Sequence, residues 1–194
     1  MSHVRTDPAG GTARSGLELI TFGHGTAGRT TLAELLREAG VAAVVDVRTA
    51  PGSRRDPDLS RQRLAEWMPE ERIAYRWERR LGGWRKPPPD SPDTVWRNES
   101  FRGYAAHTRS AEFVTAMDGV LRQAGEERTA VMCGEAVWWR CHRRLIADFA
   151  VLARGALVLH LMHDGRLMAH SPTPGVRLRG DGLLVYDDGP RAAG

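Results

Sequence analysis

The chain has 194 residues, 41% of them apolar, and a formal charge of +4. That length suits one domain with a sizeable core, and no apolar run approaches the ~20 residues that would span a bilayer. The basic balance is almost all arginine, which favours phosphate-bearing partners such as nucleic acid or nucleotides, although Arg- and Ala-rich composition is equally what a GC-rich genome encodes.

Residues 1–16 lack the apolar core of a signal peptide and read as a disordered leader. LELITFGH (17–24) is a short buried strand ending in the turn GHGTAGR. Thr31 and Glu34 form a capping-box pattern that opens the helix TLAELLREAG, closed by Gly40. VAAVVDVR (41–48) is apolar almost throughout, as strands of a parallel sheet covered on both faces are. Strand, helix and strand in this order make a right-handed βαβ unit. A basic loop (49–60), a short helix from Ser60 to Met68 and a strand IAYRW (73–77) follow. The Pro- and Gly-rich stretch 78–100 reads as a long irregular loop, and loops of that length are usually functional or disordered. Ser110 caps a helix over 110–125, ERTAVMC is a strand, RRLIADFAVLAR a helix and ALVLHLM (156–162) a strand. Short strands or a hairpin complete a single domain at 17–187, and 188–194 read as a flexible tail. The pattern is α/β: a three-layer, Rossmann-like single domain with a mostly parallel sheet.

These residues resemble a known family. TFGHGT at the first strand, VVDVRTAPGSRR after the second, LGGWR and FRGYAAH in the middle, and CGEAVWWRCHRRLIAD are similar to the domain-of-unknown-function 488 family, over about residues 18 to 170. The resemblance implies no settled activity; members carry a label linking them to DNA repair. Gly25 stands where the family pattern has Ser, and Gly134 where Ala is commoner.

The segment VMCGEAVWWRCHRR (131–144) concentrates the chemistry. It holds both cysteines, and with no export signal these are expected as free thiols in a reducing cytoplasm. Cys133 lies where a strand ends, and helix-terminal N–H groups and arginines there favour a thiolate. It is read as a nucleophile, sulfur carrier or substrate contact; the competing reading is a buried structural thiol. Arg140 gives Cys-x6-Arg rather than the Cys-x5-Arg of thiolate phosphatases, and Glu135 would repel phosphate from that loop. Asp46 and Arg48 match the Asp-x-Arg of rhodanese-like sulfurtransferases, but GEAVWWR is bulkier than their active loop.

Glu135, set between a thiol and two indoles, is expected to be partly desolvated and so suited to acid or base work. Asp46 and His24 end neighbouring strands and join it as candidate catalytic groups; Asp46 with Arg48 is equally a structural pair. Arg48 and Arg143 are candidate phosphate ligands, with Cys141 and His142 beside them. Trp138 and Tyr104, grouped with Trp84, Trp96, Phe101 and Trp139 in loops, are candidates for stacking on a base. Arg143 and Arg144 oppose the dipole of the helix they start, so at least one is expected to meet an anion or a carboxylate, with Asp46 and Glu135 as candidates. No cofactor is expected, and a metal ion is the minor alternative. Cys133, Cys141, His142 and His24 could in principle supply zinc ligands, but Cys-x7-Cys-His does not match common zinc spacings, and adjacent Cys141 and His142 would diverge by about 100° on a helix. The expectation is an enzyme acting on a nucleic acid, nucleotide or nucleobase-like substrate. The alternatives are a non-catalytic nucleic-acid-binding module and a thiol or sulfur-transfer protein.

Overall fold

The computed structural model describes residues 16–52, 56–187 and 189. The expected leader, Gly16 apart, and the expected tail, residue 189 apart, lie outside the described residues, as do Ser53, Arg54 and Arg55 of the basic loop. The elements run β1 (Glu18–Gly23), α1 (Arg29–Glu38), β2 (Ala43–Asp46), α2 (Arg61–Glu70), β3 (Ala74–Trp77), α3 (Glu99–His107), α4 (Ala111–Glu126), β4 (Thr129–Cys133), α5 (Arg143–Arg154), β5 (Leu157–Leu161), β6 (Leu167–Ala169), β7 (Val176–Leu178) and β8 (Leu184–Tyr186).

Six strands form one sheet in the order β3-β2-β4-β1-β5-β6. The first five are parallel, and β6 adds an antiparallel edge to β5. Alternation along the strands feeds two separate cores, as side chains two residues apart share a face. Ile20, Phe22, Val44 and Met132 pack with Leu32, Leu36, Leu64 and Trp67 of α1 and α2. Leu19, Val45, Val131 and Val158 pack with Phe113, Val120, Leu145 and Phe149 of α4 and α5. The architecture is therefore a three-layer, Rossmann-like α/β domain.

Chain direction reverses at the centre of the sheet. The path from β1 leads to β2 on one side, whereas the path from β4 leads to β5 on the other. Such a reversal opens a crevice at the carboxyl ends of the two strands. No helix among the described residues is long and apolar enough to cross a membrane.

Several local expectations are corrected. Helix α1 starts at Arg29 behind Gly28, with no side-chain cap bond, so Thr31 lies inside the first turn rather than capping it. The stretch expected as a loop ends in α3, whose cap is Asn98: its side chain accepts from the N–H groups of Ser100 and Phe101. Phe101 and Tyr104 are thus helical, and Tyr104 is buried. Ser110 does cap α4, accepting from the Phe113 N–H. The C-terminal strands β7 and β8 pair as an antiparallel hairpin.

Candidate functional site

The crevice between β1 and β4 is filled by the protein itself. The backbone after β4 folds back over Gly23, so closely that a methyl group there would lie 1.7 Å from the Glu135 carbonyl oxygen. The Arg143 guanidinium fills the adjoining space and donates from Nη2 to the Glu135 and Ala136 carbonyls. The open space is displaced sideways, over the ends of β4 and β2, beside Gly83 and Trp84 and against α3. It is a cavity of about 370 Å³.

Cys133, Cys141 and His142 form its floor. Both thiols are free and buried. The His142 Nε2–H donates to the Val47 carbonyl at 3.1 Å, which turns Nδ1 toward the sulfurs. Nδ1 lies 3.8 Å from Cys133 Sγ and 3.6 Å from Cys141 Sγ. The adjacency of Cys141 and His142 does not separate them, because they do not share a helix. Cys141 is extended, with φ −127° and ψ 151°, and His142 is the residue before α5. Burial alone would raise the Cys141 thiol, but the Cys133 hydrogen bond, His142 and Arg143 outweigh it and hold it well below the ordinary thiol range. Cys133 moves the opposite way, pushed up by its hydrogen bond to Cys141 and by burial. The favoured thiolate is Cys141, which reverses the expectation for Cys133.

Arg143 is 1% exposed, and among the described residues no carboxylate pairs with it. Among the described residues its Nε has no hydrogen-bond partner, and the two thiols lie close enough for its charge to act on them. Arg143 therefore meets neither of the candidate carboxylates, Asp46 and Glu135, and its anionic neighbours are thiols instead. Arg144 also finds no carboxylate: Nε donates to Thr173 Oγ1 at 2.8 Å, and its guanidinium lies over Trp96.

Asp46 and Arg48 form a structural pair. Asp46 is fully buried and accepts from Arg48 Nε and Nη2, from the Arg48 backbone N–H and from the Tyr75 hydroxyl. Arg48 Nη1 donates to the Leu59 carbonyl. Most guanidinium donors of Arg48 are thereby used, leaving little for phosphate. His24 sits beside this pair, 3.4 Å from Arg48 Nη1, and its imidazole is held below the ordinary range by burial and by Arg48. Arg48 lines the cavity; His24 and Asp46 do not.

Glu135 lines the cavity but is exposed, so the desolvation expected of it is absent. Trp138 is half-buried, and its indole stacks on His160 with 4.1 Å between ring centroids, so that face is covered by protein. Tyr104 forms part of the cavity wall, tilted against His142, and its hydroxyl donates to the Leu81 carbonyl at 2.7 Å. The aromatic surface at the cavity comes instead from Trp84 and from Phe101, whose other face stacks on Trp96. Trp84 is 81% exposed at a left-handed φ of 58°. A bulky residue in that region is strained, a condition found most often at functional positions. Arg140, also at the cavity and exposed, was readable as one of the three arginines of the segment.

No curated protein and no solved structure matches the chain. The model of one family, described as Domain of unknown function DUF488, matches residues 29–150, which include β2, the cavity walls and the Cys-x-Glu segment. That span is more than half of the chain, and the chain belongs to this family.

Proposed function

We propose that the protein is an enzyme acting on a nucleotide or a nucleobase-like group, with the dithiol–imidazole cluster as its reaction centre. The observation that carries this reading is the convergence of Cys133, Cys141, His142 and Glu135 on one cavity at the strand ends. Its volume falls within the range of small-molecule sites. Trp84 and Phe101 offer aromatic faces for a base, and Arg140 supplies an exposed cation for a phosphate. Glu135 carries the proton: it is the carboxylate that lines the cavity and is free in solvent to exchange. Cys141 is the contact or nucleophile at the reacting atom, with His142 holding its orientation. Arg48 and Arg143 shape the site from behind rather than grip the substrate.

The test is a panel of nucleosides, nucleotides and short oligonucleotides, with products read by mass spectrometry. Glu135→Gln removes the proton carrier from an exposed position and should abolish turnover at unchanged thermal stability. Wild-type turnover in that variant would sink the assignment.

A further inference from the structure

We infer that Cys133, Cys141 and His142 bind one thiophilic transition-metal ion, zinc in the first instance, with its remaining coordination position open to the cavity. The three donor atoms all lie within 4.8 Å of one another. A tetrahedral ion with a sulfur bond of about 2.3 Å and a nitrogen bond of about 2.05 Å separates those two ligands by about 3.6 Å. The sulfur-to-nitrogen separations here are 3.8 and 3.6 Å, so the ion needs only small shifts of the side chains.

The surroundings match those of a metal ligand set. His142 presents Nδ1 to the thiols because Nε2–H is bound to the Val47 carbonyl, the outer contact that fixes the tautomer of metal-bound histidines. The Glu135 backbone N–H donates to the Cys133 sulfur, an outer contact that a ligating thiolate can accept. Gly83 lets the chain pass the imidazole, since a methyl group there would lie 3.1 Å from His142 Nδ1. Two thiolates and an imidazole select zinc over hard cations. Three protein ligands beside a cavity are the pattern of zinc sites that keep a position for water or substrate, whereas structural sites close all four.

This inference rests on the reading of the cavity as the reaction site, with Cys141 acting there as a ligand of the ion rather than as a free nucleophile, but its test does not. Titration of the reduced, full-length protein with Co2+ should give one bound equivalent, a sulfur-to-cobalt charge-transfer band and the visible bands of a four-coordinate ion. One equivalent of Zn2+ should bleach them. Cys141→Ser and His142→Ala should each weaken Co2+ binding at least tenfold. The absence of a charge-transfer band in the wild-type protein would overturn the inference whether or not the variants fold, and so would unchanged affinity in both variants. Turnover sensitive to Glu135→Gln in a protein that binds no metal would overturn the metal site alone. Metal binding with wild-type turnover in Glu135→Gln would support the metal site and overturn only the enzymatic reading.

Discussion

Gly23 decides the shape of the site by what it lacks. A single added methyl group would meet the Glu135 carbonyl at 1.7 Å and Arg143 Nη2 at 2.6 Å, and the first of these is backbone that cannot swing aside. Gly23→Ala should cost about 1–3 kcal/mol of stability through overpacking. It should also lift residues 134–136 and slow turnover; urea denaturation and rate measurements check both. The residue scale is where the sequence was least legible. The spacing of Cys133, Cys141 and His142 placed them in one segment but argued against their convergence, because it took Cys141 and His142 as helical neighbours. The extended backbone at Cys141 removes that objection. For Glu135, position beside Trp138 and Trp139 was mistaken for depth. The indole of Trp138 turns to His160, and the carboxylate stays in solvent. The structural alternative for Asp46 and Arg48 was readable from their position at a strand end, and it is the arrangement found.

At the scale of elements, α5 carries more than the apolar face its sequence advertised. Asp148, fully buried, accepts from four donors: His170 Nε2, the Thr173 N–H, the Thr173 hydroxyl and the Tyr186 hydroxyl. His170 Nδ1 meets His160 Nε2 at 2.9 Å, and His160 Nδ1 meets the Thr21 hydroxyl at 2.7 Å. This chain ties β1, β5, α5 and the β7–β8 hairpin together, and His160 in turn supports the Trp138 face. Asp148→Ala would strand those donors, at a cost on the order of 3 kcal/mol. Hydrogen exchange should show residues 173–187 opening first. A lone acid in the apolar run LIADFAVLA and a lone histidine in ALVLHLM were the available signals, each readable singly and neither pointing to the other. The strands and α4 were legible from apolar runs and the Ser110 cap. Helix α3 was not, because Gly103 in its middle and the Pro-rich stretch before it hid a nine-residue helix that Asn98 starts. Gly103 is required there by the chain crossing it: a methyl group would lie 2.1 Å from the Arg85 carbonyl oxygen.

For the whole molecule, three histidines lowered chiefly by burial, His160, His24 and His107, contribute to the pH dependence of stability. Burial, His170 and Arg143 push His160 down to about 3, and burial with Arg48 lowers His24. The unfolded chain therefore binds these protons before the folded one does, and stability rises with pH. The contribution is fully present above the ordinary value of 6.5 and is lost as pH falls through the window toward about 3. Denaturation midpoints measured from pH 7 to 4 should decline, and His160→Asn should flatten the decline; a midpoint independent of pH would contradict the packing described for His160. The three-layer domain was legible as a whole because its central strands are apolar and separated by helix-length amphipathic segments. The position of the cavity was not, since the sequence points only to the strand ends, and the backbone folded over Gly23 leaves the open space beside β4 and β2.

The most direct test of the reaction centre is turnover of the nucleotide and nucleobase panel by wild-type protein, Glu135→Gln and Cys141→Ser, compared side by side. The account predicts a product from the wild type and none from either variant, with Glu135→Gln as stable as the wild type. Equal rates in all three proteins would place the chemistry elsewhere and contradict it.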